Sequence, residues 1–310
     1  MSDLRVESVI QERPSRTKPC VFIHTNHKQI LGAIVSRYSM KRNSARPDAF
    51  DVELIEHRNF PFFAEYEGRE YLRDGASRVW RNDDLQSFTP LRFMPPELMG
   101  YQGRAVVIDP DVFAVGDVWE LLSRDMGGKA ILCRRSKFKS GAFASSVMLL
   151  DCARLSHWQV ERDFAAMMAG KRDYHDWISL LLEPPETIGL FEEEWNDFDR
   201  LTERTRMLHN TRRRTQPWKT GLPVDYMLAD KFHLFPPFAL INRARRQLFG
   251  DYGLLGRYRR HPDANQERLF FGLLAECLEK GLVTEEVVRR EMSANHVRHD
   301  ALELCSRIAA

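Results

Sequence analysis

Two aspartates separated by a single proline follow a short apolar run near the middle of the chain. Residues 106–108 (Val-Val-Ile) are apolar and β-branched, as expected of a buried strand, and Asp109, Pro110 and Asp111 come directly after them. Two carboxylates held this close repel each other unless a cation lies between them. Oxygen ligands suit a hard divalent ion such as Mn2+ or Mg2+, which keeps positions free for phosphate oxygens. The pattern predicts a divalent metal site; the alternative is that both acids only form a turn and cap a helix.

The residues before this acid pair predict the sheet that would hold it. Residues 20–24 (CVFIH) predict a first strand, residues 27–44 an amphipathic helix with a basic end, and residues 50–55 a second strand. Strand, helix and strand at this spacing form a βαβ unit, whose two strands are parallel. We interpret Thr25 and Asn26 as the turn and N-cap of the helix, and we expect a nucleotide-type crevice near them.

Strands and helices continue to alternate after the βαβ unit. Residues 56–90 are aromatic, charged and irregular, which is typical of a functional or mobile stretch. The methionines and aromatic residues of the helix over 156–169 indicate core packing rather than a cofactor site. The further predicted elements are short helices at 95–99 and 118–124, strands at 129–133 and 145–150, and helices at 156–169 and 173–182. These patterns predict an α/β fold class with a parallel sheet.

The composition changes after Pro223. Residues 231–261 interleave aromatic residues with arginines, and Asp263 and Thr284 each precede a helical pattern. We predict a sheet domain over residues 1–223 and a helical C-terminal region over residues 224–310. The C-terminal region is either a packed helical appendage or a surface that contacts an acceptor or an anionic membrane.

Length and composition describe an ordinary globular protein. The chain has 310 residues, 43% hydrophobic and 29% charged, with a net charge of only +2, so whole-molecule charge favours no particular partner. The five cysteines are odd in number, widely spread and without a Cys-x-x-Cys pair, which speaks against a disulfide framework or a zinc site. No apolar run approaches the roughly 20 residues of a membrane span, and the first residues lack a signal-peptide pattern. We therefore expect a cytoplasmic protein, with contact to the inner face of a membrane left open.

Four blocks of the sequence carry a family resemblance when they are taken together, in this order. They are VFIHTNHKQILGAIVSRYSMKRNS, SFTPLRFMPPELMGYQGRAVVIDPDVFAVGDVWEL, FASSVMLLDCARLSHW and HNTRRRTQPW. Over residues 20–221 the chain resembles the retaining nucleotide-sugar transferases of glycosyltransferase family 8, the glycogenin and bacterial lipopolysaccharide galactosyltransferase type. The resemblance implies a GT-A-type, Rossmann-like catalytic domain of the α/β class, with a mixed, mainly parallel sheet flanked by helices and a small C-terminal helical region. It also implies metal-dependent transfer of a hexose from a nucleotide sugar, in particular a UDP-sugar, with retention at the anomeric carbon.

The resemblance also implies roles for individual residues. Metal ligands would be Asp109, Asp111 and His209; contacts to the nucleotide-sugar donor would come from Thr25, Asn26, Arg92, Ser145, Arg212, Gln216 and Lys219; and a catalytic carboxylate pair would be Asp173 and Asp176. The cofactor would be Mn2+ or Mg2+. The acceptor would be a glycan, a lipid-linked sugar or a protein. For His209 the alternative is a polar residue beside a basic loop.

The chain departs from the family pattern at several positions. Ala144 replaces the usual asparagine and Ser146 the usual glycine of the third block. The fourth block is one residue longer and lacks its glycine and lysine, so Gln216 or an arginine of residues 212–214 must contact the diphosphate. The spacing of Asp173 and Asp176 is also longer than in the family. These departures leave open a protein that binds a nucleotide sugar without transferring it.

A basic cluster over residues 204–219 allows a different reading. Arginines there would form charge-assisted bonds to donor phosphates, or they would bind nucleic acid or another polyanion. Nucleic acid is not favoured, because the net charge is near zero and no nucleic-acid-binding motif is present. A solvated loop is the structural alternative for this cluster.

Overall fold

The computed structural model describes residues 18–136, 142–226 and 256–309. The chain divides after His209 into two compact units, the first built on strands and the second on helices. Most of the aromatic and basic stretch over residues 231–261 lies outside the described residues, so its interpretation stays a prediction.

The strands belong to the first unit. In chain order they are β1 (Cys20–Thr25), β2 (Asp51–Glu56), β3 (Glu70–Arg73), β4 (Ala76–Val79), β5 (Arg104–Ile108), β6 (Val112–Ala114), β7 (Ile131–Arg135), β8 (Phe143–Asp151), β9 (Ile188–Leu190), β10 (Asp197–Phe198) and β11 (Met207–His209). The helices of this unit are α1 (Ile30–Arg42), α2 (Pro95–Leu98), α3 (Val118–Leu122), α4 (Val160–Met168) and α5 (Tyr174–Ile178).

A six-stranded sheet forms the centre of the first unit, in the order β2-β1-β5-β8-β7-β9. Strand β1 pairs in parallel with β2 and β5, β9 pairs in parallel with β7, and β8 runs antiparallel to β5 and β7. The expected α/β class with a mixed, mainly parallel sheet flanked by helices is therefore confirmed. Strand β1 is wholly buried and β5 almost wholly, because their apolar residues are covered on both faces.

Helix α1 begins later than the sequence pattern predicts. Thr25 is the last residue of β1, and the helix starts at Ile30 after Gln29, so Thr25 and Asn26 are not its cap. The side-chain amide of Asn26 instead donates to the Asp84 carbonyl at 3.0 Å and to Ser87 Oγ at 3.2 Å. The Asn26 side chain thus binds the loop over residues 84–87 to the end of β1.

A hairpin and short 3-10 turns replace the irregular structure expected over residues 56–90. Strands β3 and β4 pair antiparallel around Asp74 and Gly75, whose positive φ angles of 53° and 70° suit a two-residue hairpin turn. Aromatic side chains pack this segment onto α4, with Trp80 and Phe164 centroids 4.7 Å apart. Helix α4 itself starts at Val160, later than the start at residue 156 that the sequence pattern predicts.

The second unit is helical within its described residues. Its helices are α6 (Ala264–Glu279), α7 (Glu285–Ser293) and α8 (Ala301–Ala309). Asp263 and Thr284 cap α6 and α7 as predicted, accepting bonds from Asn265 N at 2.9 Å and Val287 N at 3.3 Å. In the described part of the chain, no helix is both long enough and apolar enough to cross a membrane.

Candidate metal site

A tight turn between β5 and β6 carries the two aspartates. Asp109 N donates to the Ser146 carbonyl at 3.0 Å, which fixes the end of β5 beside β8, and Val112 N donates back to the Asp109 carbonyl at 3.3 Å. Helix α1 packs against the turn at Gly32, where a Cβ atom would lie only 3.1 Å from the Pro110 carbonyl oxygen. The turn is therefore held closely on two sides.

Pairing of two short strands brings His209 to the same place. Strands β10, β11 and β6 form a three-stranded sheet in which β11 runs antiparallel to β6 and His209 pairs with Val112. Val112 directly follows Asp111, so this register carries the imidazole to the acid turn. The sequence pattern did not predict β6, β10 or β11, since strands of two or three residues are too short to show periodicity.

The three side chains predicted to bind metal form one cluster. His209 Nε2 lies 3.3 Å from Asp111 Oδ1 and 3.9 Å from Asp109 Oδ2, and one ligand atom from each residue falls within 4.8 Å of the others. A Mg2+ or Mn2+ ion with bonds of about 2.1 Å fits between ligands about 3–4 Å apart. In the described residues, no other group of three such side chains comes together. Two carboxylate oxygens and one imidazole nitrogen are a donor set that suits either ion.

Arg92 and His24 surround the other oxygen of Asp109. Arg92 Nη2 donates to Asp109 Oδ1 at 2.8 Å, and His24 Nε2 lies 2.8 Å from the same oxygen without hydrogen-bond geometry. Burial alone would raise the pKa of Asp109, but the Arg92 guanidinium and His24 hold it well below its usual range. Asp109 is therefore an anion although it is partly buried. His24 was not predicted as part of the site; its one signal in the sequence is a histidine that follows four apolar residues of the same strand.

Electrostatics at His209 favour a positive charge between the acids. Burial alone would lower the pKa of His209, but Asp111 and then Asp109 outweigh it and raise that pKa. In the absence of metal, the two carboxylates thus favour a proton on the ring. A divalent cation would displace that proton, as metal binding to histidine requires.

In the first unit, the residues predicted to contact the nucleotide sugar largely form hydrogen bonds within the protein. Arg92 Nη1 donates to Ser145 Oγ at 2.5 Å, and both side chains are buried. Thr25 and Asn26 are also buried at the carboxyl end of β1. Their contact with a nucleotide stays a prediction.

Asp173 and Asp176 are not part of the metal cluster. The Asp173 carboxylate caps α5 by accepting from His175 N at 2.7 Å, and it reaches the β3–β4 hairpin by accepting from Gly75 N at 2.9 Å. Asp176 lies in the first turn of α5. The carboxylate of Asp173 thus joins a helix to a hairpin, and a catalytic role for the pair stays a prediction.

Three further predicted contacts belong to the second unit. Lys219 is buried and forms an ion pair with Asp225, whose carboxylate also accepts from the Tyr258 hydroxyl. Gln216 is buried as well and donates to the Asn210 carbonyl at 3.4 Å, whereas Arg212 is exposed. The contacts of all three with a diphosphate stay predictions.

No protein-family model and no curated protein matches the chain. Solved structures that resemble it include a glycosyltransferase, GlyE of Streptococcus pneumoniae TIGR4, at 14% identity and a TM-score of 0.47 over 86% of this chain and 64% of that chain. Two others are a galactosyltransferase, LgtC, in complex with donor and acceptor sugar analogs (13%, TM-score 0.43, over 64% and 89%), and mouse xyloside xylosyltransferase 1 (14%, TM-score 0.40, over 63% and 98%). The chain thus spans less than two thirds of GlyE.

Proposed function

We propose that this protein is a metal-dependent retaining glycosyltransferase that moves a hexose from a nucleotide sugar, a UDP-sugar, to an acceptor. One observation carries the proposal: Asp109, Asp111 and His209 converge at the carboxyl end of a buried central strand. That end of an α/β sheet is where ligands bind. Retention and the UDP donor rest on the sequence resemblance.

The chemistry of the cluster fits this reaction. Asp109, Asp111 and His209 would hold Mn2+ or Mg2+, which when bound supplies a Lewis acid beside the negative charge that develops on the nucleoside diphosphate. Arg92 keeps Asp109 ionised, so the site is ready for a cation near neutral pH. His209 is buried and the two aspartates are partly buried, which strengthens the interaction of these side chains with a cation.

Donor and acceptor contacts complete the proposal. Thr25 and Asn26 would lie near the nucleoside, Arg92 and Ser145 near the sugar, and Arg212, Gln216 and Lys219 near the diphosphate. The acceptor would be a glycan, a lipid-linked sugar or a protein, and the protein would act in the cytoplasm or at the inner face of a membrane. A catalytic role for Asp173 and Asp176 rests on the resemblance alone.

Substitution of one metal ligand tests the proposal. Purified protein is given UDP-hexoses with Mn2+, and released UDP and calorimetric UDP binding are measured. We expect Asp111→Asn to lose turnover at least about 100-fold and to lose Mn2+-dependent UDP binding, because it removes a charged ligand but almost no volume. Asp48→Asn, at an exposed aspartate, is the matched control and should behave as wild type. Absence of UDP binding by the wild type, or full activity of Asp111→Asn, would overturn the metal assignment.

A second candidate is a nucleotide-sugar-binding protein that has lost transfer. Ser146 favours it, because its hydroxyl accepts a bond from Asn196 at 3.0 Å where the resembling family has a glycine without a side chain. The same assay separates the two candidates: UDP binding with Mn2+ but no turnover on any UDP-hexose points to this second function.

The polyanion alternative has less support in the first unit. Arg200 and Arg204 form ion pairs with Asp197 and Glu194, so part of the positive charge over residues 200–206 is already compensated. Such exposed pairs are weak and exchange readily, so a salt titration of oligonucleotide binding is the direct test. Binding that falls steeply with salt and ignores Mn2+ would favour the polyanion reading.

A further inference from the structure

Asn196 lies between His209 of the metal cluster and Ser146 of β8, and both ends of its side-chain amide form hydrogen bonds. It is completely buried at the end of a 3-10 turn, directly before β10. Its Oδ1 atom lies 2.9 Å from His209 Nδ1, and its Nδ2 atom donates to Ser146 Oγ at 3.0 Å. In this orientation the amide nitrogen faces Ser146 and the amide oxygen faces the imidazole.

This arrangement selects one form of the neutral His209 ring. An amide oxygen only accepts hydrogen bonds, so Nδ1 must carry the proton and donate. The other ring nitrogen, Nε2, then keeps its lone pair for a cation; without a cation, Asp111 Oδ1, 3.3 Å away, competes for a proton on this atom. The opposite tautomer would present an N–H group to a cation and leave Asn196 Oδ1 buried without a donor.

The backbone of Asn196 is fixed as firmly as its side chain. Arg134, itself buried, donates from Nη1 to the Asn196 carbonyl at 2.5 Å and lies 4.1 Å above the Phe198 ring. Phe198 pairs with His209 in the β10–β11 register, and Asp199 N donates to the His209 carbonyl at 2.9 Å. The amide lies directly before β10 and the imidazole at the end of the adjoining β11, so the pairing of these strands holds the two groups together.

We propose that Asn196 is the positioning residue for His209: it fixes the tautomer and the ring direction that a divalent cation requires. The inference rests on the proposed function, because a metal at this site is part of that function. Partners of this kind behind a metal-bound histidine typically change metal affinity about 10–100-fold when they are removed. Asn196 would act through His209 and would not itself touch the metal or the donor.

Three variants separate a positioning role from a merely structural one. Asn196→Leu removes the acceptor at similar volume, Asn196→Asp keeps an acceptor for Nδ1–H, and Ser146→Ala removes only the partner on the other side of the amide. By calorimetry with Mn2+ alone, we expect Asn196→Leu to bind about 10–100-fold more weakly. Asn196→Asp should retain most of the affinity, and Ser146→Ala should lose less than Asn196→Leu. If Asn196→Leu folds and binds Mn2+ as tightly as wild type, the proposal is wrong.

The tautomer can be read without any metal. Nitrogen chemical shifts of the His209 ring, assigned by comparison with His209→Gln and recorded where the ring is neutral, should show a larger share of the Nδ1-protonated form in the wild type and in Asn196→Asp than in Asn196→Leu. Asn196→Leu should show a mixture of tautomers; an unchanged tautomer would refute the positioning role even if metal affinity fell. Conversely, a wild type that fails to bind Mn2+ but shows the fixed tautomer would sink the proposed function and leave the inference on Asn196 standing.

Discussion

The two oxygens of the Asp109 carboxylate face different partners. Oδ1 accepts from the Arg92 guanidinium at 2.8 Å, whereas Oδ2 faces His209 at 3.9 Å. Since Oδ1 is hydrogen-bonded to Arg92, Oδ2 is the oxygen of Asp109 that is placed to bind a cation as a single ligand atom. Arg92 belongs to the 3-10 helix Thr89–Phe93, so folding rather than local sequence creates this division.

Single residues of the site differ in how far the sequence predicts them. Asp109 and Asp111 carry a local signal, because two acids after an apolar run are visible in the sequence itself. His24 and Asn196 carry none that points to metal, since each acts through a partner far away in the chain. The positions of His24 and Asn196 beside the metal ligands depend on the register of the strands, and a single sequence does not specify that register.

His57 should make the folding stability depend on pH. Its ring is buried and stacked on Phe63, and burial, helped by His27 and Arg58, lowers the pKa of His57 from 6.5 to about 4. Between those values the unfolded chain binds a proton that the folded chain does not, so stability is complete above about pH 6.5 and falls on acidification. From about pH 7.5 to about pH 5 this one residue should cost about 2 kcal/mol.

Urea unfolding at the two pH values measures this contribution. His57→Phe keeps an aromatic ring against Phe63 but does not titrate, so its loss of stability on acidification should be smaller than that of the wild type by about 2 kcal/mol. His299→Gln changes an exposed histidine and serves as the control, with a loss like that of the wild type. Equal losses in His57→Phe and wild type would show that His57 is not held neutral.

Elements with a clear pattern formed where the sequence predicted them. The unit of β1, α1 and β2, the central strand β5 and the caps of α6 and α7 all agree with expectation apart from shifts at their ends. The strands that were not predicted are short or depend on a turn. Strands β6, β9, β10 and β11 have two or three residues each, and the β3–β4 hairpin depends on its Asp74-Gly75 turn. Tertiary pairing stabilises such strands more than their own sequence does.

The Asp173 carboxylate offers a test at the level of elements, because it fastens α5 to the β3–β4 hairpin. Four backbone N–H groups donate to it, two from the start of α5 and two from the hairpin turn. We expect Asp173→Ala to lower the free energy of unfolding by about 1–2 kcal/mol, as loss of a helix cap does. Asp173→Asn, which keeps one acceptor oxygen, should lose less. Loss of turnover in Asp173→Asn at unchanged stability would instead support a catalytic carboxylate.

Ligand binding should be visible in the stability of the whole chain. A ligand that binds only the folded state adds about 2.7 kcal/mol at a free concentration of about 100 times its dissociation constant. We expect Mn2+ together with UDP to raise the calorimetric unfolding midpoint of the wild type by several degrees, and Asp111→Asn to show little of this rise. The same rise in both proteins would place nucleotide binding away from the acid turn.

The class of the whole fold followed from the sequence, because buried apolar strands alternating with amphipathic helices leave few architectures open. A mixed, mainly parallel sheet and a set of C-terminal helices are both present. The antiparallel insertion of β8 between β5 and β7 was not predicted, since an apolar strand such as residues 145–150 fits either direction. Donor and acceptor identity depends on side-chain contacts that such patterns do not encode.

Gly32 has a consequence for the whole site, although it lies on a helix and carries no functional group. A methyl group at this position would lie 3.1 Å from the Pro110 carbonyl oxygen, which is closer than most such contacts. Either helix α1 or the turn would then have to shift. Pro110 is flanked on both sides by the acids, so any yielding of the turn would alter the distance between their carboxylates. The spacing of the acid pair is thus set partly by a missing side chain on a neighbouring helix.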